Sequence, residues 1–336
     1  MESRGATGAT MGPARRRFLR LAASGVAMLP TMFRLARAQS YPNRPVRIIA
    51  GFAAGGINDV VARLIGQSLS ERLGQPFVVE NRAGASGNIA TEAVVNAPPD
   101  GYTLLLVGSS NTINPTLYEK LNFNFAHDIV PVAGIMRAPL VMEVNPAFPT
   151  KTVPEFIAHA RANPGKINMA SGGSGTSVHM SGELFSMMTG IRLVHVPYRG
   201  EGPALSDLMS GQVQVMFSNM PASLELVRAG KLRALAVTTA ARSDALPDLP
   251  TVGEFVPSYE ATGIGGLGAP RGTPVQIVDM LNDQINTALS DPKMKKRLAD
   301  LGATALVGSP PDFGKLLADE IEKWARVIKF SGAKPD

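Results

Sequence analysis

The sequence contains no cysteine, which excludes disulfides, thiolate catalysis and cysteine-bound metal. Histidine is almost as scarce: His127, His159, His179 and His195 are the whole set. No two of them share metal-ligand spacing on one predicted helix, and H-E-x-x-H is absent. Aromatic residues make up 6% of the chain, with a single tryptophan, and no basic run is interleaved with them, so a nucleic-acid partner is not expected. No Gly-Lys-Ser/Thr follows a glycine-rich turn, so there is no Walker loop. A surplus of one charge is also missing once the N-terminus is set aside. The full chain is formally +6, but residues 1–38 hold seven arginines against Glu2, leaving 26 basic and 26 acidic residues in the remainder. Bulk charge therefore favours neither nucleic acid nor an anionic surface as a partner.

What is present begins with an export signal. Arg15-Arg16-Arg17 precedes Phe18-Leu19-Arg20, a modest apolar run extends from Leu21 to Leu29, and Ala36-Arg37-Ala38 forms an A-x-A site before Gln39. Basic region, short apolar core and small-residue site in that order make a secretory signal. The paired arginines ahead of Phe18-Leu19 have the form of a twin-arginine signal. The apolar core is too short for a bilayer span, which takes about 20 residues, and no later stretch is apolar enough. The mature protein is expected in the periplasm, with no stable membrane insertion after the signal is removed.

Downstream, strands alternate with helices. Strands are predicted at 46–50, 76–80, 102–107, 139–144, 167–170, 192–196, 213–217 and 232–237. Helices are predicted at 58–73, 88–96, 153–162, 178–188, 203–210, 275–289 and 311–329. This alternation points to an α/β class with parallel sheet, and about 300 mature residues point to two domains. Met187-Met188 reads as core filling and Lys293 to Arg297 as a solvated helix face.

Four polar loops follow strand ends, where ligands lie in open α/β sheets. The first is Gly51-Phe52-Ala53-Ala54-Gly55-Gly56-Ile57-Asn58-Asp59. Its glycines and the helix start beyond it favour an anion, with Asn58 as the predicted N-cap. The second, Ala170 to His179, offers Ser171, Ser174 and Thr176 around another helix start, with His179 in its first turn. The third is Gly108-Ser109-Ser110-Asn111-Thr112 and the fourth Ser218-Asn219. Gly172-x-Ser174-x-Thr176 lacks the last glycine of a nucleophile elbow, and the dinucleotide fingerprint fails at Val178. No cofactor and no metal site are expected.

The order of motifs resembles the Bug-type extracytoplasmic solute receptors of tripartite tricarboxylate transporters. The resemblance runs from about Tyr41 to Asp336. It is carried by Tyr41-Pro42-x-Arg44-Pro45-Val46-Arg47, Gly55-Gly56-x-x-Asp59, Val79-Glu80-Asn81-Arg82-x-Gly84 and Pro99-Asp100-Gly101-Tyr102-Thr103-Leu104-Leu105. Further along come Asn163-Pro164-Gly165-Lys166, Val196-Pro197-Tyr198-Arg199-Gly200, Pro203-Ala204-Leu205-x-Asp207-Leu208, Gly230 to Val237 and Ala269-Pro270-x-Gly272-Thr273-Pro274. The resemblance implies a two-domain periplasmic binding protein of type II-like fold that closes on a small organic carboxylate in an interdomain cleft. Residues 39–140 plus 265–336 would form one domain and 141–264 the other, with crossing strands near 139–144 and 263–270. It also implies binding residues: Phe52, Ala53, Gly55, Gly56, Asn58 and Asp59 from one domain, Ser171, Ser174, Thr176, His179, Tyr198 and Ser218 from the other. Ser109 and Asn111 join them from the third loop. The implied partners are a small carboxylate and the membrane subunits of a transporter, with the receptor itself a monomer.

Two departures bear on the ligand. The family's first loop reads Pro-Phe-Pro-Pro-Gly-Gly, against Gly51-Phe52-Ala53-Ala54-Gly55-Gly56 here, and Ile264 stands where many members carry tryptophan. Two other readings are a periplasmic hydrolase using Ser174 and His179, and a ligand sensor for a signalling partner. The hydrolase needs a base and an orienting acid beside a serine, and the spacing signals neither.

Overall fold

The computed structural model describes residues 41–335; the signal-peptide reading over 1–38 lies outside them. Along the chain run β1 (Val46–Ala50), α1 (Ile57–Leu73), β2 (Phe77–Asn81), α2 (Asn88–Val95), β3 (Thr103–Gly108), α3 (Ser109–Leu117), α4 (Phe125–Asp128) and β4 (Ile129–Val144). Then come α5 (Val153–Ala162), β5 (Asn168–Ser171), α6 (Ser177–Thr189), β6 (Val194–Pro197), α7 (Glu201–Ser210), β7 (Val215–Asn219), α8 (Met220–Arg228) and β8 (Arg233–Val237). The chain closes with β9 (Thr262–Pro270), α9 (Val275–Ser290), α10 (Pro292–Asp300), β10 (Thr304–Ala305) and α11 (Pro310–Ser331).

The strands lie in the order β2-β1-β3-β9-β4-β7-β5-β6, with β8 and β10 also paired to β4. The ends are parallel: β1 pairs β2 and β3, and β5 pairs β6 and β7. The middle is antiparallel, because β9 runs against both β3 and β4. The alternation in the sequence therefore predicts the two ends and misses the mixed centre. β4 belongs to both halves. Its Ile129–Pro139 portion pairs β9, and its Leu140–Val144 portion pairs β7 and β8.

Burial explains why the ends were legible. β3 is buried throughout and β1 at every position but one, so each reads as a short apolar run. α1 ends at Gly74, which adopts the left-handed conformation at φ 70° and caps Ser70, as a C-terminal glycine does. The core gathers in several clusters. One holds Ile48, Leu104, Ile135, Leu281 and Ile285. Another holds Phe156, Phe185, Phe217, Tyr259 and Trp324. α11 serves two of them: Phe313 and Leu317 pack with Ile49 and Leu105, while Trp324, Val327 and Ile328 pack with the phenylalanine cluster.

Several elements differ from the sequence expectation. The strand predicted at 139–144 starts ten residues earlier, at Ile129. Pro131, Gly134 and Pro139 hide it from a periodicity search, and its register shifts at Pro131/Ala133 and Gly134/Met136. The glycine-rich stretch at 263–268 is the central strand β9, buried at every residue. The third loop is mostly helix, because Ser109 starts α3. α8 was not predicted, and the Lys293–Arg297 run lies on α10. The N-cap of α1 is Gly56 rather than Asn58, which sits inside the first turn.

Candidate functional site

A cavity of about 290 Å³ opens where five helices begin. Gly56, Ile57, Asn58 and Asp59 line it from the start of α1, and Ser109 and Ser110 from α3. Thr176, Ser177 and Val178 line it from α6, Gly200 and Glu201 from α7, and Asn219 from the turn into α8. Phe52 and Ala53 add the first loop, Gly172 the second, and Met136, Ala138, Gly263 and Ile264 the two central strands. The first amides of a helix have no partner within it and carry the positive end of its dipole. Gly56 and Gly200 offer those amides no side-chain cap. No lysine, arginine or histidine is among the lining residues. The arrangement is suited to an anion held by backbone amides.

Glycine geometry builds the walls. Gly172 takes the N-terminus of α7 so closely that a Cβ there would lie 3.1 Å from Glu201 Cγ and 3.2 Å from its nitrogen. The Gly200 amide donates to Gly172 O at 3.1 Å, and Gly200 itself sits at φ 108°, a conformation that side-chain-bearing residues rarely adopt.

The first loop is held by Asp59. Its carboxylate accepts from Gly55 N at 3.0 Å, from Arg63 at 3.0 and 2.9 Å, and from Asn81 Nδ2 at 2.9 Å. The Arg63 hydrogen bonds come first among the causes that pull this carboxyl down to about 2. Asn81 Nδ2 also donates to Phe52 O. Asp59 is thus the anchor that holds Gly55 and Phe52, and Arg63 satisfies its charge away from the lining.

Of the residues predicted from sequence, the cavity brings together Phe52, Ala53, Gly56, Asn58, Asp59, Ser109 and Thr176. Gly55 is not among the lining; its amide donates to Asp59. Asn111 lines a small adjoining recess with Phe52, Asn58 and Ser110; its amide oxygen accepts from Gly108 N and its nitrogen donates to Thr91. The remaining predicted residues are not among the lining. Ser171 Oγ lies 2.7 Å from His195 Nε2 and accepts from Gly173 N. Ser174 is buried within the same loop. Tyr198 donates to Asp207 at 2.6 Å, and burial and that bond push its hydroxyl up to about 12. Ser218 donates to the buried Glu143 at 3.0 Å. His179 is buried, stacks on His195 at 3.5 Å, accepts from Gly175 N at Nδ1 and faces Glu183 with Nε2 at 3.4 Å. Nδ1 thereby pins the loop, and Nε2 is engaged by Glu183 on the same helix.

Glu201 and Asn219 were missed. The helix carrying Glu201 was predicted to begin at Pro203; it begins at Glu201. An acid directly after a glycine at a strand-to-helix turn was the available signal. Asn219 lost out to its neighbour Ser218, yet adjacent strand residues face opposite sides: Ser218 turns to Glu143 and Asn219 to Glu201.

With the geometry in place, comparison with known proteins is informative. A family profile described as "Tripartite tricarboxylate transporter family receptor" matches residues 61–333. Protein BugT of Bordetella pertussis is 39% identical over 300 residues, covering 88% of this chain and 92% of that protein. A solved R. palustris protein with adipate is 39% identical with a TM-score of 0.79, covering 88% of this chain and all of that one. MatC from Rhodopseudomonas palustris with bound malate is 34% identical with a TM-score of 0.75, covering 86% of this chain and all of the other. These similarities in sequence and fold agree with the motif order, and the chain belongs to the tripartite tricarboxylate transporter receptor family.

Proposed function

We propose that this chain is a periplasmic solute receptor that takes a small organic carboxylate into the cavity and delivers it to a tripartite tricarboxylate-type membrane transporter. The observation that carries the reading is the convergence of five helix N-termini on a cavity lined by no basic side chain. Backbone amides at those helix starts can hold an anion there. At about 290 Å³ the cavity falls just under the usual small-molecule range of about 300–1,000 Å³, as suits a short acid, and the relatives solved with adipate and malate both hold carboxylates.

In this reading residues 39–140 plus 265–336 form one lobe and 141–264 the other, with β4 and β9 as the crossings. The ligand makes contacts to both lobes only when they close, and that difference drives closure. The receptor is a monomer. It reaches the periplasm through the twin-arginine signal at 1–38; replacing Arg15 and Arg16 with Lys in a reporter fusion should abolish export by that route. No helix among the described residues is long and apolar enough to cross a membrane. A hydrolase using Ser174 and His179 draws no support from the engaged ring of His179, and Ser174→Ala should leave ligand affinity within a few-fold. A sensor role would use the same closed form.

The test is a thermal-shift screen of the mature protein against mono- and dicarboxylates, hydroxy acids, amino acids and aromatic acids. A ligand that binds only the folded form stabilises it by about 2.7 kcal/mol at 100 times Kd. A flat response across the panel would sink the receptor reading.

A further inference from the structure

Glu201 is the one carboxylate on the cavity wall without a cationic partner. The other, Asp59, is neutralised by Arg63. Glu201 takes its two hydrogen bonds from a single neutral residue: Asn219 N donates to Oε2 at 3.0 Å, and Asn219 Nδ2 donates to Oε1. Both oxygens act as acceptors toward Asn219, and lone-pair sites remain on each for a donor in the cavity. Its place in the first turn of α7 favours the charged form, while partial burial raises its proton affinity. The nearby buried Glu143, bonded to Ser218 and Ser223, is a second acid and supplies no counterion. A half-buried charge facing a cavity without its counterion is costly, and a cation entering the cavity would remove that cost.

We propose that Glu201 selects, among small carboxylates, a ligand that also carries an ammonium group. The inference rests on the receptor reading: the helix N-termini hold the ligand's carboxylate, and Glu201 accepts from its ammonium. Met136, Ala138 and Ile264 supply apolar wall for the carbon chain. A dicarboxylate would instead set a second negative charge near Glu201. The seat is built for this side chain, since Gly172 and Gly200 supply the space and the turn that bring it to the wall.

The experiment is calorimetric titration of the mature protein at neutral pH with matched short-chain acids. Each set contains the plain acid, its amino and hydroxy derivatives and the dicarboxylate, with the substituent walked along the chain. In wild type, the best amino member should bind at least about tenfold more tightly than its plain and dicarboxylate counterparts. In Glu201→Gln, which keeps the size and can accept one of the two Asn219 hydrogen bonds, that preference should vanish. Plain or dicarboxylic acids binding wild type as tightly as the amino acids would overturn the proposal without any variant. So would a hydroxy acid preferred over its amino analogue, or an amino preference that survives in Glu201→Gln. Heat from none of the acids would overturn the receptor reading itself and this inference with it.

Discussion

At the scale of single residues, the most unusual group is Glu143. It is wholly buried on β4, and both carboxyl oxygens are bonded to serine hydroxyls, Ser218 and Ser223. Burial raises its carboxyl from the ordinary 4.5 to about 8, so it is held neutral near pH 7 as one member of a hydroxyl network. The folded protein keeps this proton more tightly than the unfolded chain does. Stability from this group is therefore full below pH 4.5 and is lost as pH rises through 8. Glu143→Gln should remove that slope: denaturant titrations should match wild type near pH 5 and show the variant more stable by on the order of a few kcal/mol at pH 9. The same network shows where the sequence falls short. The strand end at Ser218-Asn219 was legible as a ligand-facing position. Which of the two side chains faces the cavity depends on parity along β7, which its apolar run does not reveal because both faces of the strand are buried.

At the scale of elements, β9 carries the clearest lesson. Thr262–Pro270 contains four glycines and no β-branched residue beyond Thr262 and Ile264, so propensity argues against a strand. Packing overrides it. A Cβ on Gly266 would lie 2.2 Å from Phe313 Cζ and 2.6 Å from Ala133 O, and one on Gly268 would lie 2.5 Å from Ile129 Cγ2. The glycines let α11 and β4 close onto the strand, and no local pattern announces a neighbour that arrives so much later or earlier in the chain. Gly266→Ala should cost about 1–3 kcal/mol in chemical denaturation, the range for overpacking a filled core, and its melting temperature should fall accordingly. α3 was hidden for a related reason. Ser109, Ser110, Asn111, Thr112 and Asn114 are weak helix formers, and the helix is held by its surroundings: Asn114 Nδ2 donates to Ser86 O and Asn88 Oδ1, and Ser109 Oγ accepts from Ile264 N. α1 was legible from its apolar face and the terminal Gly74, and α11 from its apolar stripe and the capping box that Ser309 and Asp312 form at its start.

At the scale of the whole molecule, α11 ties together cores that are otherwise built from different strands. Its first half packs with Ile49 and Leu105, and its second half buries Trp324 among Phe156, Phe185 and Tyr259. The helix spans about 33 Å at 1.5 Å per residue, so losing either half should be felt by both. Trp324→Ala should destabilise by about 3–5 kcal/mol and lower a single calorimetric transition, not split it in two. Two separate transitions would show that α11 does not couple the clusters. The class and the parallel ends of the sheet were readable because each end is an unbroken local alternation. The antiparallel centre was not, since β4 and β9 pair across more than a hundred residues.

The absence of basic side chains from the cavity wall has a consequence for how such a protein changes over time. In the proposed reading, grip on the anion rests with backbone amides, which among point substitutions only proline deletes, while discrimination rests with a few replaceable side chains such as Glu201, Asn219 and Ile264. A lineage carrying this scaffold can acquire a new nutrient by exchanging one or two wall residues, without passing through a form that has lost its hold on carboxylates.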